Sequence, residues 1–363
     1  MMTNEVWVLG ATGRTGRAVA TRLHERGVPL VLVGRNRARL EGVVAALGGA
    51  PRLRVGTLDS ALAALAQDAP AVVVNTVGPF TTTAVTVARA CPPGTHYVDV
   101  ANEFLAVKKI LGLNREAAAA DHVFVTGAGF GVLATESVLL RLCDGRPPAT
   151  RVRVDALASV ATEPGVIGSA LAATIVEILT FGGREVRHGR LVRSRSAAHP
   201  LQLTTPDGEV LATGSGASGE LLAAWRASHA DSVVAASTAA PSSAILRSVL
   251  PAVEAIFHIP GIGRFAVSRI ARIPLRAQDR PRPSSWGHAR AEWSSGTVRE
   301  GWLRAGDGMD FTAAVAAEVT HRLLKGDGRP GAYTPGALFG SELAEAVGGA
   351  FLIDQDRESS QRG

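Results

Sequence analysis

Gly10, Ala11, Thr12, Gly13, Arg14, Thr15 and Gly16 form a run in which glycines recur every third residue. Glycine has no Cβ, so such a run can turn tightly and bring backbone N–H groups against a pyrophosphate. The positive end of a helix that follows adds to the attraction for an anion. Alone the pattern is only a tight turn; between a strand and a helix it is specific. A second group, Gly34, Arg35 and Asn36, closes the next apolar run. NAD-binding chains usually carry an acid there for the ribose 2′-hydroxyl, and this chain has none. Arg35 matches a 2′-phosphate bidentately, Asn36 can donate to it, and Arg39 adds a second cation one helical turn on. The pattern predicts NADP(H), whereas a solvated surface arginine is the plainer reading of Arg35.

A third group, Asn75, Thr76, Val77, Gly78, Pro79 and Phe80, follows the fourth apolar run, where ligands bind at the carboxyl edge of an open α/β sheet. These residues, with Ala101 and Glu103 after the fifth run, are expected to line the ribose and nicotinamide; a Gly-Pro turn into a helix accounts for the same residues equally well. In Thr95–Asp99, strand alternation puts Tyr97 and Asp99 on one face and His96 and Val98 on the other. Tyr97 and Asp99 are the candidates for positioning a substrate or supplying a proton, against a buried tyrosine and a helix-capping acid as ordinary structural uses. The only tyrosines, Tyr97 and Tyr333, have no lysine four residues later, which excludes the short-chain dehydrogenase mechanism. The other histidines read as isolated, and no zinc-protease, nucleophile-elbow or paired-carboxylate motif occurs. Cys91 and Cys143 lie far apart with no second ligand at metal spacing, so no metal site is expected.

These residues need elements to hold them. Strand-like runs at 6–9, 30–33, 53–55, 71–76, 96–100 and 123–126 alternate with helix-like stretches at 14–26, 37–47, 60–67, 82–90 and 103–120. Repeated βα units with near-continuous apolar strands specify a parallel sheet covered on both faces. After Gly131 the rhythm changes: a helix near 138–142, a strand at 152–160, a helix at 167–180, and a long stretch rich in Gly, Ser, Thr and Ala. An antiparallel pair at 285–293 and 297–304 and a helix at 311–324 follow. The fold class expected is α/β, a Rossmann doubly wound parallel sheet over residues 1–130, with a second α/β (α+β) domain for substrate and dimerisation over 131–335.

The 363 residues include 46% hydrophobic and 19% charged types, enough for two cores and against disorder. The charge of +6 is carried almost wholly by arginines interleaved with acids. No basic helix with base-reading side chains and no aromatic stacking motif accompanies it, so no nucleic acid partner is expected. The start of the chain shows no signal-peptide pattern and the thiols are few, which fits a reducing, cytoplasmic setting. No run is long and apolar enough to span a membrane. The stretch 245–275 is apolar and basic; it reads either as a core or dimer-interface helix or as a peripheral membrane contact admitting a lipid-like substrate.

With these motifs assembled, the chain resembles the saccharopine dehydrogenase-like reductases, a family that includes saccharopine reductases and the trans-acting enoyl reductases of mycobacterial-type lipid biosynthesis. The resemblance rests on Gly10–Gly16, Gly34–Asn36, Asn75–Phe80, Gly94–Asp99, Gly127–Glu136 and Pro330–Pro335. It implies that a C-terminal segment, 336–363, returns to the Rossmann domain, that a central domain covers the cofactor, and that the protein is a homodimer. After Gly129 and Phe130 relatives often carry Asp, then a Pro and another acid, where this chain has Gly131, Ala134 and Glu136, a departure that speaks against an acid role for this loop. The resemblance implies hydride transfer from NADPH to an activated C=C (enoyl) or C=N bond of a small, carrier-linked or lipid-linked intermediate. A saccharopine-type amino-acid reductase and a non-catalytic NADP-binding sensor are the rivals.

Overall fold

In the strands that lead into the glycine run and into the Asn75–Phe80 loop, Val6–Leu9 and Val72–Val74 are wholly buried, without the polar alternation of a one-sided sheet. They lie at the centre of a seven-stranded sheet. The computed structural model describes residues 3–240, 250, 252, 255–257, 261–353 and 357–358. Two compact units emerge: residues up to Phe130 with Met309–Phe339, and Gly131–Gly308 with the residues from Gly340 on.

In the first unit the strands are β1 (Thr3–Leu9), β2 (Leu30–Gly34), β3 (Arg52–Val55), β4 (Pro70–Asn75), β5 (His96–Asp99), β6 (Val123–Val125) and β17 (Gly331–Tyr333). Their order is β17-β6-β5-β4-β1-β2-β3, with every pairing parallel. Helices α1 (Arg14–Glu25), α2 (Arg37–Ala46), α3 (Leu58–Asp68), α4 (Phe80–Ala90), α5 (Phe104–Gly112) and α6 (Asn114–Ala119) alternate with them. After β1 the chain adds strands on one side, and from β4 onward on the other. The carboxyl ends of β1 and β4 therefore flank the switch point where ligands bind in such sheets.

The single helix expected over 103–120 is two, broken at Leu113. Gly112 weakens the helix there, and the Asn114 side chain accepts a hydrogen bond from Ala332 N at 2.9 Å, a demand made by β17. The return to the first unit is made by 309–339; of the expected segment 336–363 only 336–339 belongs there, and the residues from Gly340 on belong to the second unit. β17 pairs with β6, while Ala350–Ile353 (β18) pairs antiparallel with Gly301–Arg304 of the second unit.

The second unit is a mixed sheet, with β11 (Leu201–Thr204) and β12 (Val210–Ser215) paired off its main path and β8 (Gly165–Val166) and β14 (Pro274–Leu275) paired as a separate ribbon. Its main path runs β10 (Arg190–Ser194), β9 (Gly183–Arg187), β13 (Ser232–Ser237), β7 (Arg151–Leu157), β15 (Ser285–Glu292), β16 (Thr297–Ala305) and β18. β13 and β7 are parallel and the other neighbours on this path antiparallel. The hairpins between 183 and 237 and the helix Gly219–Ser228 are structure where composition alone showed only a small-residue stretch. His288 is not isolated. Its Nδ1 lies 3.0 Å from Asp155 Oδ2 and its Nε2 2.8 Å from Glu300 Oε1, and Arg153 donates to both oxygens of Asp155 through Nε and Nη2. Burial lowers the pKa of His288, but the two carboxylates outweigh it and the net direction is upward.

Within the stretch 245–275, positions 245–249, 251, 253–254 and 258–260 lie outside the described residues. Among the described residues no helix is long and apolar enough to cross a membrane, and no cluster of three or more His, Cys, Asp or Glu is placed to hold a metal. Both cysteines are free, and burial pushes the Cys143 thiol up to about 11.

Candidate functional site

The three glycines of the loop after β1 have different reasons to be glycine. Gly10 has φ of +79°, and a Cβ there would stand 2.8 Å from Thr76 Oγ1. Gly16 faces back onto the loop, where a Cβ would stand 2.3 Å from the Gly10 carbonyl oxygen. Both are required by the protein's own packing. Gly13 is not: its φ of −77° and ψ of 162° suit any residue. A Cβ there would meet only Gly10 O, at 3.3 Å. Gly13 is the N-cap of α1, no side chain caps that helix, and its first turn holds no acid. A helix start of this kind attracts an anion. The loop is pinned from behind, since Gly10 N and Ala11 N both donate to Val33 O, at 3.0 and 3.1 Å. Arg17 braces it from the helix, donating to Thr12 O at 3.0 Å. Arg14 and Thr15 are part-buried on the same first turn.

Arg35, Asn36 and Arg39 are exposed just beyond β2, on the turn into α2. Asn36 caps that helix: its Oδ1 accepts from Arg39 N at 3.0 Å. The carbonyl oxygen is thereby used, leaving the amide N–H groups as donors. Among the described residues neither Arg35 nor Arg39 is paired with a carboxylate, while Arg37 lies 3.6 Å from Glu41. Two unmatched guanidinium groups thus stand one helical turn apart at the carboxyl edge, beside the strand that holds the glycine loop.

The loop after β4 is shaped by Asn75, which is wholly buried. Its Oδ1 accepts from Val77 N at 3.0 Å, and its Nδ2 donates to Tyr97 Oη at 3.2 Å. Thr76 donates its hydroxyl to Leu9 O at 2.7 Å, tying this loop to the end of β1. Gly78 and Pro79, joined by a cis peptide, lead into α4, whose first residue, Phe80, donates its N–H to Glu103 Oε1 at 3.4 Å. Glu103 and Ala101 are buried beside it.

Tyr97 and Asp99 do share a face, since Tyr97 donates its hydroxyl to Asp99 Oδ2 at 2.9 Å. Both have no exposed surface. Asp99 Oδ1 accepts from Ala101 N at 3.0 Å, Gly127 N at 3.0 Å and the Thr126 hydroxyl at 2.9 Å. One carboxylate thus ties together the chain leaving β5 and the chain leaving β6, and through Tyr97 and Asn75 it reaches the loop after β4. Burial raises the Asp99 carboxyl from 3.8 to about 6 against the pull of these donors, and burial also raises the Tyr97 hydroxyl. Thr126 and Gly127 complete this network, and Thr83 takes the other N–H of Asn75 at 3.4 Å. None of these three stood out in the sequence as a site residue, because single hydroxyls and a lone glycine have no diagnostic spacing. Their place at strand ends in the βα pattern was the available signal.

No family model and no curated protein matches this chain. Among solved structures it is similar to apo, histidine-tagged saccharopine dehydrogenase (L-Glu forming) from Saccharomyces cerevisiae, at 13% identity and a TM-score of 0.61. That match covers 97% of this chain and 100% of the other. A short-chain dehydrogenase from Sphingobium yanoikuyae in complex with NADPH matches at 21% identity and a TM-score of 0.30, over 34% of this chain and 71% of its own. Serine dehydrogenase from Escherichia coli matches at 16% identity and a TM-score of 0.30, over 34% and 80%. The full-length match, and not the partial ones, carries both units, and the chain has a saccharopine dehydrogenase-like fold.

Proposed function

We propose that this protein is an NADPH-dependent oxidoreductase that reduces an activated C=C or C=N bond in a small, lipid-like or carrier-linked molecule. The observation that carries the reading is Gly13. The backbone dihedrals there suit any residue and a Cβ would crowd only Gly10 O, at 3.3 Å, a milder demand than at Gly10 or Gly16, so the bare backbone at this helix start is read as serving something outside the chain. A pyrophosphate laid against an uncapped helix start meets that requirement. Residues Gly10 to Gly16 would hold it. Arg35 and Arg39, with the Asn36 amide, would hold a 2′-phosphate, and Asn75 to Phe80 with Ala101 and Glu103 would border the nicotinamide end. When bound, the cofactor supplies the hydride; the protein supplies orientation and exclusion of water.

Tyr97 and Asp99 belong to this reading as positioning residues. With no exposed surface and their polar atoms bonded inside the protein, they set the loops after β4, β5 and β6 and do not deliver a proton. The amino-acid reading is supported by the full-length fold likeness to a saccharopine dehydrogenase.

Equilibrium titration with NADPH and NADH tests the cofactor, with NADPH expected to bind at least about tenfold more tightly. Loss of NADPH absorbance is then followed with enoyl thioesters and with imines formed from an amino acid and an aldehyde. Turnover of the thioesters supports enoyl reduction, and turnover of the imines supports the amino-acid reading. Tight NADPH binding with no turnover of either class overturns the enzyme in favour of a sensor.

A further inference from the structure

Four of the nine large hydrophobic residues exposed among the described residues sit on one small part of the second unit. That part consists of helix Gly168–Phe181, helix Ile262–Ile270 and the two-stranded ribbon Gly165–Val166 with Pro274–Leu275. Phe265 is 64% exposed, Val166 58%, Leu171 50% and Ile273 47%. The ribbon sets Val166 opposite Pro274, and Ile167 N donates to Ile273 O at 3.1 Å, so Ile273 closes the ribbon opposite Ile167. The helix 262–270 lies against the other helix through Gly263, next to Val176. Its part-buried positions, Ile262, Gly263, Ala266, Val267 and Ile270, make one face. Arg264, Phe265, Ser268 and Arg269 make the opposite, exposed one.

That exposed face joins one large aromatic side chain to unmatched positive charge. Arg264, Arg269, Arg272 and Arg276 are all exposed, and among the described residues none of them is paired with a carboxylate. No Asp or Glu occurs from Gly261 to Gln278. The nearby acids on the partnering elements, Glu163 and Glu177, have interactions of their own within the protein. The Arg269 guanidinium stands over the Phe265 ring, 5.5 Å from its centroid, so cationic and aromatic groups share this face.

We propose that this part of the second unit docks on an anionic lipid bilayer, with Phe265 entering the headgroup boundary and the exposed arginines around it meeting lipid phosphates. A water-facing phenylalanine is costly, and four like charges on a short segment repel one another; an anionic bilayer removes both penalties at once. Arginine suits the task because its planar guanidinium pairs bidentately with phosphate while its stem lies along apolar surface. The inference stands apart from the reductase reading: it concerns only the second unit and needs no bound cofactor.

The test is co-sedimentation of the full chain with vesicles of phosphatidylcholine alone and of phosphatidylcholine with phosphatidylglycerol. Binding to the anionic vesicles only, weakened by salt, is expected. Phe265→Asp should lower the apparent affinity about tenfold or more, and the double variant Arg269→Glu, Arg272→Glu should abolish it. Leu352→Asp, an exposed apolar site on another element, should leave it unchanged. Each altered side chain is exposed, so melting temperatures should match the parent protein, and the arginine pair decides the matter if Phe265→Asp misfolds. Equal sedimentation with neutral vesicles, or wild-type affinity in both variants, overturns the proposal. Absence of vesicle binding together with self-association that Phe265→Asp abolishes also overturns it and makes the face an interface between copies.

Discussion

Gly13 and Gly16 separate two causes that a glycine motif leaves fused. Replacing Gly16 with valine pushes a side chain into the Gly10 carbonyl, so the protein should lose about 1–3 kcal/mol of stability, read as a lowered melting temperature. Replacing Gly13 with valine crowds only Gly10 O, at 3.3 Å, so it should lower the melt less than the Gly16 change and, on the proposed reading of a pyrophosphate laid against it, abolish NADPH binding. A thermal melt and a titration on one preparation decide it; a Gly13→Val protein that melts early yet still binds would make the glycine a turn residue only. Arg35 makes a parallel claim about charge. Arg35→Ala should cost NADPH about tenfold in affinity, about 1.4 kcal/mol, and leave NADH nearly untouched. An equal loss for both cofactors would remove Arg35 from the 2′-phosphate site.

At the scale of elements, the carboxyl edge is held by hydrogen bonds that cross from strand to strand. Asp99 joins β5 to β6, and Tyr97 and Asn75 carry the connection to β4. Each strand fixes its own backbone, and the loops that follow are joined by these side chains together with Phe80 N–Glu103 Oε1 and Ala128 N–Asp99 O. The arrangement has a pH signature. The Asp99 carboxyl titrates near 6 in the folded protein against an ordinary 3.8, because burial disfavours its charge. The native state therefore holds this proton more firmly than the unfolded chain, and stability falls as pH rises from about 4 to 6. The difference is worth about 3 kcal/mol. Asp99→Asn keeps an acceptor for Gly127 and Thr126 and cannot ionise, so it should flatten this part of the profile. Denaturant titrations across that range check it, and an unchanged slope in the variant would assign the pH dependence to other groups.

For the whole molecule, the chain builds its first unit, leaves at Gly131, builds most of the second and comes back at Met309. The returning segment supplies an edge strand and more: Thr312 accepts from Phe130 N at 3.0 Å, Phe311 stacks edge-on against Phe130, and Glu318 pairs with Arg26 at 2.6 Å. A fragment ending at Phe130 exposes β6 as a bare edge and strips these partners. It should aggregate or melt well below a fusion of residues 1–130 to 309–339 through a flexible linker. Circular dichroism melts of the two settle this, with equal melting temperatures counting against a return that stabilises the unit.

The amino-acid sequence by itself determined the first unit's alternation of strand and helix, the glycine loop and the missing acid after the second strand. These are local: apolar periodicity, a turn that needs φ above zero, and a residue type at a fixed offset act over a few positions. It likewise placed Tyr97 and Asp99 on one face, since strand alternation has a period of two. Only the tertiary structure decided what lies far apart in the chain. A three-residue strand at 331–333 has too few side chains to announce itself and exists because β6 offers it an edge. The break at Leu113 follows from the same strand's claim on Asn114. His288 finds Asp155 and Glu300 through strand registers that no spacing encodes. The full burial of Tyr97 and Asp99 and the hydrogen bonds that tie them to Asn75, Thr126 and Gly127 are likewise properties of the packed molecule and not of any segment of it.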